Sequence, residues 1–105
     1  MRILLVAILL TSAMAFTVQA AGNVGKGEEI YKTICSACHG PDPNKDGPLG
    51  PSIAGSAKDL IEARVLRGQY PPGYKPKRDT KTMPPFPQYK DNIEDITAYL
   101  AKVKK

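Results

Sequence analysis

Apolar and polar positions divide the chain into a leading apolar block, three stretches with helical spacing, and two long intervals that follow neither helix nor strand periodicity. In the leading block, Ile3 to Leu10 is unbroken apolar sequence behind Met1-Arg2, and Thr11 to Ala20 drifts toward small residues. Such a block predicts a removable export leader. Val18-Gln19-Ala20 puts small side chains where a signal peptidase reads them, so cleavage is expected after Ala20, with Ala13-Met14-Ala15 offering a second site. An uncleaved membrane anchor competes with this reading, but residues 3–18 fall short of the ~20 apolar residues that a bilayer core demands. The expected organisation is a leader over residues 1–20 and one domain over residues 21–105. No membrane span is expected after cleavage, and the destination is the periplasm.

The first helical stretch is Gly25 to Cys35, where Gly27, Ile30, Tyr31 and Ile34 fall on one face. Ser56 to Arg67 is the second, with Ser56 as N-cap, Asp59 in its first turn and Gly68 as its C-terminal stop. The third is Asp91 to Lys104. There Asp91 and Glu94 resemble a capping box, while Ile93, Ile96, Leu100 and Val103 form the buried stripe. Lys102, Lys104 and Lys105 suit the negative pole of that helix. Between these stretches, Pro41 to Gly55 and Gln69 to Gln88 carry prolines and glycines in place of any periodicity. No strand pattern and no repeat is found. The expected fold class is all-α, three to four short helices with long loops.

Size and composition raise the question of what holds such a domain together. The 105 residues suffice for one domain at most. Loss of residues 1–20 removes Arg2 and no acid, which lowers the formal net charge from +5 to +4. With no Trp, two Phe and five Tyr, the core is small. Domains of this size usually need a disulfide, a metal or a cofactor. A disulfide between Cys35 and Cys38 would close too short a loop to constrain the unfolded chain much. Loops this long are also uncommon in a small domain unless they have a function or something to wrap. One large flat cofactor would answer both points.

The chemistry is concentrated in Cys35-Ser36-Ala37-Cys38-His39, the spacing of covalent haem attachment. A helix brings the two cysteines to one face, where their thiols can add across the two vinyl groups of a haem, and His39 can offer its imidazole to the iron. A neutral imidazole ligates best when its other nitrogen donates to a fixed acceptor. Three other readings compete. A thioredoxin-like pair needs a preceding strand, which the pattern lacks. Zinc wants four ligands, and the chain has neither a third cysteine nor a second histidine. The third is a chance histidine after two cysteines. The sixth ligand follows by elimination, because a low-spin haem usually takes His or Met as its second axial ligand. His39 is the only histidine, and with the leader gone Met83 is the only methionine. Met83 stands in Lys81-Thr82-Met83-Pro84-Pro85-Phe86, where the prolines stiffen the backbone. Packing in a core is the commoner fate of a methionine and the alternative here.

Together these motifs resemble a class I c-type cytochrome of the bacterial, periplasmic kind, and the likeness covers residues 24–104. Gly27-Glu28-Glu29-Ile30-Tyr31 precedes Cys35-Ser36-Ala37-Cys38-His39-Gly40. Pro51-Ser52-Ile53-Ala54-Gly55, twelve residues beyond His39, is similar to that family's Pro-x-Leu-x-Gly stretch. Met83-Pro84-Pro85-Phe86 matches the axial methionine loop, and Asp95-Ile96-Thr97-Ala98-Tyr99-Leu100 the last helix. The resemblance implies a fold wrapped around one covalently bound haem c, its first and last helices crossing where Gly27 and Tyr31 meet Tyr99 and Leu100. It implies that the Pro51 carbonyl accepts the N–H of His39 and that Ile53 packs against the haem ring. The loop Gln69–Lys81, with Tyr70-Pro71-Pro72-Gly73-Tyr74, departs from the family pattern in being long and basic.

With His39 and Met83 both on the iron, no position is left for a substrate. The expected function is therefore a single-electron shuttle between redox partner proteins, not an enzyme. A thioether ligand and an apolar pocket favour the less charged reduced iron and raise the potential. If Met83 is loose, an open iron would instead bind small ligands or turn over peroxide. A fixed subunit of a larger oxidoreductase is the remaining alternative. Lys75, Lys77, Arg78 and Lys81, relieved only by Asp79, lie just before Met83. They are either ordinary solvated loop charges or a positive rim that steers the protein toward acidic docking surfaces. No nucleic-acid partner is expected, and the protein is expected to be a monomer.

Overall fold

The computed structural model describes residues 22–79 and 82–105. The expected leader, residues 1–20, and Lys81 lie outside the described residues. All regular structure within them is helical, in the all-α arrangement expected of a small cytochrome c fold.

Helical structure runs without a break from Val24 to His39, in three segments. The first, α1 (Val24–Ile30), is capped by Asn23, whose Oδ1 accepts the Lys26 N–H at 3.0 Å. A π-helical turn follows over Tyr31–Cys35, and α2 (Ser36–His39) completes the run. The expected helix therefore extends past Cys35 and carries both cysteines and His39. The wider turn corrects one expectation about its face. Gly27, Ile30 and Tyr31 are buried as the spacing predicts, but Ile34 is only half-buried and turns to a cavity, while Cys35 packs against the core. A π turn holds an extra residue, so positions beyond it rotate out of the α-helical phase.

The other two helices start later than expected. Ser56 does not cap α3 (Lys58–Arg67), whose N-cap position is Ala57 with no side-chain bond. The Ser56 hydroxyl donates instead to the Ile53 carbonyl at 2.6 Å, the local turn contact that competes with capping. At the other end Gly68 closes the helix as predicted, in the left-handed conformation at φ 62°. Asp91 and Glu94 do not form a capping box either. The chain is already turning from Pro87, in a 3-10 segment Pro87–Asn92 that puts Asp91 inside a turn. The last helix, α4 (Ile93–Val103), follows directly on Asn92. Glu94 pairs with Lys58 at 2.9 Å, and Asp95 takes the Asn23 N–H at 2.7 Å.

The core consists of Ile30 and Tyr31 against Ile93, Ile96, Tyr99 and Leu100, closed by Ile61 and Val65 of α3. Helices α1 and α4 cross where the resemblance implied. The Tyr31 and Tyr99 rings lie 5.6 Å apart at 51°, a tilted aromatic pair. Gly27 makes the close approach possible: a Cβ there would run into the Asp95 carbonyl and come to 2.8 Å from the Tyr99 Cβ. The obstacle is backbone, so the helices would have to part. Gly27→Ala is expected to cost on the order of 1–3 kcal/mol, as overpacked core sites do. Denaturant unfolding should show a lower midpoint at unchanged slope. An unshifted midpoint would mean that the helices do not depend on this crossing.

Candidate haem-binding site

The loop after α2 is built back onto the Cys-x-x-Cys-His segment by its own backbone. The Leu49 and Gly50 amides both donate to the Cys38 carbonyl, at 3.1 and 2.9 Å, and the Gly47 amide donates to the Gly50 carbonyl at 2.8 Å. The Tyr31 hydroxyl, fully buried, donates to the Gly40 carbonyl at 2.6 Å and so pins the residue after His39 to the core. Burial pushes the Tyr31 phenol up to about 12, which keeps it a neutral donor at any ordinary pH.

His39 is buried, and its Nδ1 lies 2.8 Å from the Pro51 carbonyl. A carbonyl only accepts, so Nδ1 carries a proton, and in the neutral imidazole this leaves Nε2 with its lone pair. This is the contact that the resemblance implied. Gly50 packs directly on the imidazole: a Cβ there would stand 2.6 Å from both Cε1 and Nδ1. Any larger residue would push the ring off its acceptor.

His39 faces a cavity of about 500 Å³, within the ~300–1,000 Å³ typical of cofactor pockets. Cys35, Cys38, Pro51 and Ile53 line the same cavity, and Met83 reaches it from the other loop. Much of the wall is apolar, shared with the core through Ile61, Val65, Ile96 and Leu100. Both cysteines are free, and burial pushes the Cys35 thiol up to about 11, so near neutral pH it is an S–H group. Met83 is half-buried and packs against the core cluster, held in place downstream by the Phe86 amide donating to the Val65 carbonyl at 2.6 Å. The six residues singled out by the sequence are thus all on one cavity. A thiol pair, a tautomerically fixed imidazole, a thioether and an apolar wall fit a covalently attached haem. Among the described residues no strand precedes Cys35, as a thioredoxin-like site would require.

The family model described as "Cytochrome C oxidase, cbb3-type, subunit III" matches residues 22–100. The chain belongs to this family of c-type cytochromes. It is a class I c-type cytochrome, and membership implies covalently bound haem c. Relatives carry cytochrome names. It is similar to cytochrome c4 of Thiocapsa roseopersicina, 29% identical over 86 residues that make up 80% of this chain and 42% of that protein. Cytochrome c4 of Pseudomonas aeruginosa is 38% identical over 61 residues, 58% of this chain and 30% of that protein. Cytochrome c-550 of Bacillus subtilis is 33% identical over 79 residues, 73% of this chain and 57% of that protein. The chain therefore spans between 30% and 57% of the length of these relatives.

Two groups of residues at this cytochrome's cavity were not singled out as site residues from the sequence. Gly50 was legible only as a loop glycine. Arg64 of α3 lines the cavity beside Tyr70 and Tyr74 of the departing loop. The basic residues of that loop divide. Lys77 Nζ donates to the Ser52 carbonyl at 2.7 Å, and Arg78 Nη2 donates to the Gly47 carbonyl at 3.3 Å and lies 3.7 Å from Asp46 Oδ2. The Ser52 amide donates to Asp46 Oδ1 at 2.8 Å, and this bond, with Arg78 nearby, holds the Asp46 carboxyl below its ordinary range. Lys77 and Arg78 thus brace the loop that presents Pro51 to His39. Lys75 is exposed.

Proposed function

We propose that this cytochrome is a periplasmic carrier with a single haem, held by Cys35 and Cys38 and ligated by His39 and Met83, that shuttles electrons between redox partners. The observation that carries the reading is the His39–Pro51 bond of 2.8 Å on the wall of a cavity that also holds both cysteines and Met83. Haem iron, when bound, supplies one-electron exchange between iron(II) and iron(III). The chain's own residues do the rest. Pro51 fixes the imidazole tautomer, Gly50 and the loop amides fix its plane, and Pro84 with the Phe86–Val65 bond steadies the Met83 backbone. Ile53, Ile61, Val65 and Ile96 keep the wall apolar, which favours the reduced form. The apolar block at residues 3–10 and the small residues up to Ala20, read as a removable leader, support export. Among the described residues no helix is long and apolar enough to cross a membrane.

Partners with acidic docking surfaces suit two exposed cations, Lys75 and Lys77, the second of which lines the cavity and also holds the Ser52 carbonyl. Arg78 is a poor probe of docking, because reversing its charge would also break its bonds to loop 46–52. The family description names an oxidase subunit, which favours a second reading as a fixed component of a larger oxidoreductase.

One preparation separates these readings. The periplasmic fraction is expected to contain a freely soluble monomer with one haem per chain, by mass and by pyridine haemochrome absorbance. Its oxidation by anionic hexacyanoferrate(III) should slow as salt rises, because screening shortens the Debye length to ~8 Å at physiological ionic strength. Recovery only with large membrane subunits would replace the shuttle by the oxidase component, and a second haem would end the single-haem reading.

A further inference from the structure

The contact that fixes the His39 tautomer does not end at Pro51. The carbonyl of Pro51 and the N–H of Ser52 belong to one peptide unit. On one side of that unit His39 Nδ1 donates to the Pro51 carbonyl at 2.8 Å. On the other side the Ser52 N–H donates to Asp46 Oδ1, also at 2.8 Å. A carboxylate, a peptide and an imidazole therefore stand in one hydrogen-bonded line.

The neighbouring cations leave this line intact. Lys77 Nζ takes the carbonyl of Ser52, one peptide further on, and Arg78 Nη2 lies 3.7 Å from Oδ2, the other oxygen of Asp46. Among the described residues no donor besides His39 reaches the Pro51 carbonyl. The turn between the two ends is tied down by its own backbone, with the Gly47 amide on the Gly50 carbonyl at 2.8 Å. The Asp46 carboxyl, held below its ordinary range chiefly by the Ser52 N–H, is an anion near neutral pH.

A peptide is a resonance system, so negative charge at its N–H raises the electron density on its own carbonyl oxygen. Linked hydrogen bonds polarise one another, by about 10–30% per bond. The charge-assisted bond from Ser52 to Asp46 makes the Pro51 carbonyl a stronger acceptor. A stronger pull on the Nδ1 proton makes Nε2 a more basic ligand, as a carboxylate does when it bonds a metal-binding histidine directly. A more basic imidazole favours the more highly charged iron(III). Asp46 is exposed, so water screens its charge over longer distances. The direct contact with the Ser52 N–H has no water between.

We propose that Asp46 is a positioning residue for the haem ligand: through the Pro51–Ser52 peptide its carboxylate strengthens the Nδ1–H bond of His39 and lowers the reduction potential of this cytochrome. The inference rests on the haem reading above. Asp46 does not line the cavity and acts on the iron only through the peptide and the imidazole.

The test compares haem-loaded wild type with Asp46→Asn at one neutral pH, by redox titration and by proton NMR of the reduced form. Asparagine is nearly isosteric and keeps an oxygen for the Ser52 N–H, so the loop retains its bond and loses only the charge. The midpoint potential is expected to rise in Asp46→Asn, and the His39 Nδ1–H and Ser52 N–H resonances to move upfield together. Loss of any nearby negative charge also raises the potential, so the Nδ1–H resonance is the deciding reading. A raised potential with that resonance at its wild-type position would overturn the proposal and leave Asp46 as a charge acting through space. An unchanged potential would overturn it as well and leave Asp46 as a loop contact. A wild type that carries no haem would instead sink the haem reading itself.

Discussion

Replacing Cys35 and Cys38 together by alanine is expected to leave almost no haem on the chain after denaturing electrophoresis, and to leave the chain largely unfolded. The reason lies in how the core is shared. Ile61, Val65, Ile96 and Leu100 face both the core and the cavity, so the cofactor would complete the same apolar layer that joins α3 and α4. Without it a cavity of about 500 Å³ must collapse or fill with water. Folded domains hold only about 5–15 kcal/mol in total, and a single large-to-small core change that leaves a cavity already costs about 2–5 kcal/mol. The long loop 41–57 and the described parts of the second loop, 69–79 and 82–86, would lose the surface they pack on. Haem staining of the gel and circular dichroism of the purified variant are the measurements. A well-folded, haem-free protein would refute both the attachment sites and the role assigned to the cavity.

The second large effect is expected at Met83. Met83→Ala should lower the reduction potential, abolish the weak near-infrared thioether–iron band, and open the iron to cyanide and carbon monoxide. Because Met83 also packs against the core cluster, the alanine variant loses stability as well. Met83→Leu separates the two effects, since a near volume-conserving swap usually costs less than about 1.5 kcal/mol. It should keep the fold and lose the band. If the near-infrared band and the cyanide affinity of Met83→Leu match wild type, Met83 is a packing residue and the sixth ligand lies elsewhere.

Much of this protein is legible along the chain because the physics involved is local. The periodicity of Ile93, Ile96 and Leu100 reports a buried helix face wherever the helix docks, and these residues are buried in α4. The spacing of Cys35, Cys38 and His39 is that of covalent haem attachment, and elimination alone singled out Met83 as the proposed sixth ligand because the chain has so few soft ligands. The local reading failed where a tertiary contact or a change of helical phase intervened. Ser56 spends its hydroxyl on Ile53, Glu94 spends its carboxylate on Lys58, and the π turn at Tyr31–Cys35 moves Ile34 off the core face. A helix boundary is decided by energies of about 1 kcal/mol, which one such contact can outweigh.

What only the tertiary structure decided is how segments distant in sequence meet at the cavity. Residues 77 and 78 tie to residues 46–52, an association that no periodicity encodes because both segments are irregular. That contact turned two supposedly free loop charges into braces for the Pro51 segment. Gly50 has no sequence signature beyond its loop, yet the imidazole of His39 leaves it no room for a Cβ. Arg64 reads along the chain as an ordinary charged position of a helix. Its place on the cavity wall, stacked on a tyrosine six residues further along, emerges only when α3 and the loop after Gly68 close over the same space. Sequence determined the chemical groups and the helices that carry them, because composition and periodicity act over a few residues. The tertiary structure decided which groups face the same cavity, because that depends on how loops without periodicity close.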